Sequence, residues 1–149
     1  MIGLIDTEGA GAEWTFPGDL AAVRSARHAV RDTLQAWDMP PAVRDLAVLL
    51  VSELVTNSLR YASGPIGVRL AVRVLAPGPG GPDGAEAEPP AALLVEISDP
   101  LPDPPTERPA GPDDEGGRGL QLVACSARRW GTRRGKTGKT VWFELPVPG

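Results

Sequence analysis

Residues 51–61, VSELVTNSLRY, set a carboxylate at Glu53 and a carboxamide at Asn57 one helical turn apart inside an otherwise apolar run. Side chains four apart on a helix stand one above the other, so this pair addresses one small object at the helix edge. The amide oxygen of Asn57 is a hard neutral ligand suited to Mg²⁺, an ion that favours oxygen, keeps several waters and bridges to substrate phosphates. A carboxylate one turn earlier is placed to take a proton from a hydroxyl or water next to a terminal phosphate. A helix that carries Glu and Asn along a wet margin has the same pattern, and spacing alone leaves both readings open.

Two further stretches bear on the same chemistry. In DDEGGRGLQLV (113–123), Gly116, Gly117 and Gly119 precede a helix predicted from about Leu120. Its backbone N–H groups and dipole can receive phosphate with no side chain in the way, and ordinary capping is the alternative. Arg118 either adds a charge-assisted contact or faces solvent. Asp99 ends the alternating segment AALLVEISD in register with Leu93, Val95 and Ile97, on the core side, where a carboxylate is unexpected. There it can accept a hydrogen bond from an exocyclic amine such as N6 of adenine, or it can cap the turn before Pro100.

Other patterns fall away. The glycines at 116–119 lack a strand immediately ahead, so they are not the dinucleotide fingerprint, and no GxxxxGK[ST] occurs. The look-alike GKTGKT (135–140) sits in a predicted hairpin and reads as turn chemistry. His28, the only histidine, lies among charged residues, and no Ser, Cys and His spacing suggests a nucleophilic triad. The four tryptophans are scattered and are expected to pack the core, and Cys125 is expected to pack on a helix.

The elements that would position these residues follow from periodicity. AEWTF (12–16) reads as a short strand stopped by Pro17 and Gly18, and Asp19 then caps a helix over 20–37, with Val23, Ala26, Val30, Leu34 and Trp37 at helical spacing. Pro40 and Pro41 open a second helix, sustained through Val43, Ala47, Leu50, Leu54, Ser58 and Tyr61, with its apolar stripe centred on Ala47 and Leu54. Strict alternation over 66–75 places Val68, Leu70, Val72 and Val74 on one face and Arg69, Ala71 and Arg73 on the other. Residues 130–134 and 140–145 read as a closing hairpin. The expected fold is α+β: a two-layer α/β sandwich whose mixed, mainly antiparallel sheet is covered on one face by helices.

At 149 residues the chain reads as a single domain, 1–149, in which 18 glycines and 17 prolines belong to loops, notably 76–90, read as flexible, and 100–116. A net charge of −4 disfavours extended contact with nucleic acid or acidic lipid. With one cysteine and no long apolar run, the sequence reads as cytoplasmic, with no membrane partner.

In this order the segments resemble the histidine-kinase-like ATPase (GHKL) superfamily, and within it the small stand-alone branch of bacterial anti-sigma-factor serine kinases and related ATP-binding regulators of actinobacteria. The likeness runs over about residues 12–146, through AVRSAR, LLVSELVTNSLRYA, VEISD, GRGLQLV, WG and KTVWFEL. It implies the Bergerat ATP-binding fold, with ATP and Mg²⁺ as cofactors. By this resemblance Glu53 is the general base for an acceptor serine hydroxyl, Asn57 the Mg²⁺ ligand and Asp99 the acceptor for adenine N6. Gly117, Arg118, Gly119 and Leu120 would complete the nucleotide-binding set, with the two glycines beside the phosphates. Residues 100–116 would be the ATP lid, and the hydroxyl of Thr140 would support the adenine site. The partner implied is a sigma factor or an anti-sigma-antagonist-like protein, and a homodimer is compatible with the resemblance.

One departure stands out. Where such proteins generally carry glycines just after the adenine-binding aspartate, as DxGxG or DxG, this chain reads DPLPDPP, so Asp99 is followed by Pro100 and Leu101. Proline there removes a donor and keeps backbone from approaching the nucleotide, which implies lowered affinity or an altered pose. Two functions are therefore expected to compete: an ATP-dependent serine/threonine kinase acting on a small partner protein, and a non-catalytic interaction module that works by sequestration.

Overall fold

A computed structural model describes residues 10–61, 64–74, 91–100, 115–135 and 138–148. Strand β1 (Gly11–Phe16) leads into helices α1 (Ala21–Ala36) and α2 (Pro41–Tyr61). Strands β2 (Ile66–Val74) and β3 (Ala91–Asp99), helix α3 (Glu115–Ser126) and strands β4 (Arg129–Arg134) and β5 (Lys139–Val147) follow. The strands form one sheet in the order β1-β2-β3-β5-β4, and every neighbouring pair is antiparallel. The loop read at 76–90 lies outside the described residues, as does the interior of the 100–116 segment.

Helix α1 buries Ala22, Ala26, Val30 and Leu34, a stripe of strict four-residue spacing, with Val23 and Trp37 half-buried at its edges. Asp19 supplies the cap: its carboxylate accepts the Ala21 N–H at 3.0 Å, while the N-cap position falls on Leu20. At the other end Met39 N–H reaches the Leu34 carbonyl and Asp38 N–H that of Gln35, both at 3.0 Å, with Asp38 at φ 59°. This pairing closes the helix and turns the chain into Pro40 and Pro41. Helix α2 buries Val43, Ala47, Val48, Leu50, Val51, Leu54 and Val55, the face expected from its periodicity. Each such large aliphatic group contributes roughly 1.5–3 kcal/mol on leaving water. Opposite them the sheet presents Val68, Leu70, Val95, Ile97, Val141, Phe143 and Leu145, all buried. Helix α1 lies over β1 and β2, α2 over β3 and β5, and α3 beside α2 and β4.

Three local expectations are corrected. Helix α3 begins at Glu115, ahead of Leu120, so Gly116, Gly117 and Gly119 lie within its first turns; glycine's low helix propensity does not stop a helix that the neighbouring α2 helps to hold. Cys125 is exposed rather than packed. Only Trp14 and Trp37 pack against the core. Trp130 is exposed, and Trp142 lies on the sheet's other face over Gly131, where a Cβ would stand only 2.9 Å from the indole ring.

The face turned away from the helices carries ion pairs that hydrophobic alternation does not announce. Arg69 and Arg133 donate to opposite oxygens of Glu96 at 3.0 and 2.9 Å, and Arg73 donates to the buried Glu144 at 2.7 Å. Burial alone would push the Glu96 carboxyl up; the hydrogen bonds from Arg133 and Arg69, and their charges, outweigh it and hold the group below its ordinary value of 4.5. A carboxylate with a lowered folded-state pKa contributes stability that is present above its unfolded pKa and is lost as pH falls through the folded pKa. Arg133→Met is therefore expected to bring the Glu96 titration back toward 4.5 in a carboxyl-detected NMR titration, and to shrink the acid-side loss of stability. An unmoved Glu96 titration would show that the guanidinium is not the cause.

Candidate functional site

Asp99 closes β3 at the end of the sheet where the chain turns into Pro100. Alternation carries its side chain to the helix-covered face, behind Leu93, Val95 and Ile97, and leaves it 5% exposed. The C-terminal part of α2 passes above it, and there Ser58 Oγ donates to Asp99 Oδ2 at 2.9 Å. Among the described residues nothing bonds to the other oxygen, Oδ1, although it too is buried. An acceptor withdrawn from water and left unmatched costs free energy unless a ligand supplies the donor. The carboxylate is thus held by one oxygen and offers the other.

Glu53 and Asn57 are both half-buried, one turn apart along one side of α2. Asn57 adjoins Ser58 in the chain, about 100° round the helix from it, so the flank that carries Asn57 and Glu53 lies next to the strip that reaches Asp99. Helix α3, whose first turns contain Gly117, Arg118, Gly119 and Leu120, packs beside α2.

The turns at this end are packed by glycine. A Cβ on Gly138 would run into the Asp99 carbonyl oxygen, and one on Gly18 into the backbone of Gly64. Gly64, at φ 120°, has Pro100 as its neighbour: a Cβ there would stand 2.9 Å from the proline ring. The ring of Pro100 therefore packs against a facing turn in which glycine leaves the room for it. The GKTGKT segment is a hairpin connection as read, closed by Gly135 N–H to the Gly138 carbonyl at 2.8 Å.

Thr140 is not brought to Asp99. Strand register pairs it with Ser98, and the two hydroxyls are 2.8 Å apart on the face away from the helices. Because side chains alternate, the residue of β5 that shares a face with Asp99 is its register partner Lys139. A hollow of about 420 Å³ at this end also belongs largely to the uncovered face: Thr15, Gly67, Ser98 and Thr140 form one row across the sheet beneath it. Asp99, Pro100 and Lys139 also line it.

Sequence reasoning missed Ser58, Lys139 and the glycine packing. Ser58 counted as one more position in the apolar stripe; the signal was a small hydroxyl following the aliphatic residues Val43, Ala47, Leu50 and Leu54. Lys139 was hidden in a segment read only as a turn.

Residues 16–145 match the family described as the histidine kinase-like ATPase domain. The chain belongs to that family. Its helix-covered antiparallel sheet is the Bergerat arrangement of that family. The fold is also similar to the crystal structure of the RsbU and RsbW domains of Rv1364c from Mycobacterium tuberculosis, with a TM-score of 0.63 at 17% identity over 93% of this chain. The match spans 32% of the larger protein. No curated protein matches the chain. Among the described residues no helix is long and apolar enough to cross a membrane.

Proposed function

We propose that this histidine kinase-like ATPase domain binds ATP with Mg²⁺ between α2, α3 and the Asp99 end of the sheet. We further propose that it acts as a serine/threonine kinase on a small regulatory partner protein. The observation that carries the reading is Asp99 Oδ1, a buried acceptor with no bond beside an oxygen already held by Ser58. Such an atom fits the amine of an adenine base better than it fits a structural role, because a structural carboxylate would have both oxygens matched. Asn57 would supply an amide oxygen to the metal, and Glu53 would receive the proton of the acceptor hydroxyl. When bound, Mg²⁺ would offset the charge that develops on the transferred phosphate, and the first backbone N–H groups of α3 would face the same charge. The partner class, a sigma factor or an anti-sigma-antagonist-like protein, rests on the sequence resemblance to anti-sigma-factor kinases.

The deciding experiment is a calorimetric titration with ATP in the presence and absence of Mg²⁺. Saturable binding that weakens when the metal is removed is expected, and Asn57→Ala is expected to lose about tenfold in affinity with Mg²⁺ and little without it. If Asn57→Ala binds Mg-ATP as the native chain does, the metal assignment is wrong.

A second reading keeps the fold without turnover: an interaction module that sequesters its partner. Pro100 favours it, since the residue after Asp99 has no N–H to offer a nucleotide.

A further inference from the structure

The strand register beside Asp99 puts a cation where a nucleotide base would meet the sheet. Asp99 and Lys139 are direct partners in the antiparallel pair of β3 and β5, so their side chains leave the same face with Cβ atoms about 4.5–5.5 Å apart. Lys139 is half-buried on the face that carries Asp99. On its other side Lys139 pairs with Arg134 of β4, and like charges directly opposite repel, which biases the Lys139 ammonium toward Asp99. Yet Asp99 Oδ1 has no bonding partner, so the ammonium does not consume the acceptor beside it. A free acceptor and a mobile donor on a flexible stem therefore stand side by side.

We infer that Lys139 is a specificity-determining residue that reads the base edge next to the amine taken by Asp99. This inference rests on the proposed ATP site and extends it. In adenine the exocyclic amine is a donor and the adjoining ring nitrogen, N1, is an acceptor. Asp99 Oδ1 accepts from the amine, and Lys139 donates to N1. Guanine reverses the pair, with a carbonyl oxygen at C6 and an N–H at N1. It would set oxygen against carboxylate and N–H against ammonium, so the same two residues that select adenine reject guanine. Thr140, expected to support the base, pairs with Ser98 on the other side of the sheet.

The test is calorimetric titration of the full chain, with Mg²⁺, using ATP, its 1-deaza analogue, in which C–H replaces N1, and the purine analogue without the amine. The native chain is expected to prefer ATP over the 1-deaza analogue by about 10- to 100-fold, the usual range for a hydrogen bond to a charged group. Lys139→Met keeps the aliphatic stem and is expected to bind ATP more weakly, with that preference reduced to near one, while still discriminating against the analogue without the amine. Lys139→Arg, which keeps a donor, is expected to retain a preference. A Met variant that discriminates against the 1-deaza analogue as the native chain does would overturn the inference while leaving the ATP site standing. A native chain indifferent to N1 would also overturn it, without recourse to any variant. If the native chain binds no ATP, or Asp99→Asn binds it equally well, the proposed site itself falls and the role of Lys139 falls with it.

Discussion

Asp99→Asn is expected to lower affinity for ATP by about 100-fold while leaving the fold as stable as the native chain or more so. The two effects have opposite signs because the same atom causes both. The carboxylate is 5% exposed, and only Oδ2 is matched, by Ser58. Replacing the carboxylate by a neutral group of the same shape removes a buried acceptor that nothing matches among the described residues. The amide can still accept from Ser58 through its oxygen, but its NH₂ then occupies the position of Oδ1 and confronts the adenine amine donor to donor. Calorimetry with ATP and a thermal melt of the ligand-free protein measure the two halves separately. A variant that loses stability and keeps its affinity would mean that Asp99 is a structural cap and that the nucleotide assignment is mistaken.

Glu53→Gln is expected to leave ATP binding within a few-fold of the native chain and to reduce phosphoryl transfer to the partner by about 10²–10⁴-fold. The substitution preserves size and polarity at a half-buried position on the flank of α2, so the helix and its contacts remain. What it removes is the capacity to take a proton. Transfer of labelled phosphate to a serine-containing partner is the measurement, with Asp32→Ala, an exposed position on α1, as the control expected to match the native chain. If the glutamine variant transfers phosphate at the native rate, another group is the base. If neither protein transfers phosphate to any cognate partner while both bind ATP, the sequestration reading associated with Pro100 takes precedence.

Pro100 changes meaning once its surroundings are known. In the sequence Pro100 and Leu101 follow the aspartate where such proteins generally read DxGxG or DxG, and that departure suggests a weakened nucleotide site. In the fold the ring of Pro100 lies next to Gly64, a residue at φ 120° whose missing side chain leaves the space, and Gly138 makes similar room at the Asp99 carbonyl. What proline still denies is an N–H after Asp99, so its cost falls on hydrogen bonding and not on the packing of the strand end.

The sequence by itself determined most of the elements and the covered face of the sheet, and it singled out three candidate site residues. Helical spacing in α1 and α2 and alternation in β2, β3 and β5 report local geometry, and local geometry is set by neighbours in the chain. The same alternation marked Asp99 as a carboxylate in a core position, and one-turn spacing paired Glu53 with Asn57. Tertiary structure alone decided what each polar group meets. The Ser58–Asp99 bond spans 41 positions and Arg73–Glu144 spans 71. Neither leaves a trace in periodicity, because a hydrogen bond between distant segments depends on strand order and helix placement. Thr140 is the clearest case: the family resemblance implies a supporting role for it, but register pairs its hydroxyl with Ser98 and gives the place beside Asp99 to Lys139. In a sheet a shift of one residue exchanges the two faces, so the assignment needed the pairing itself.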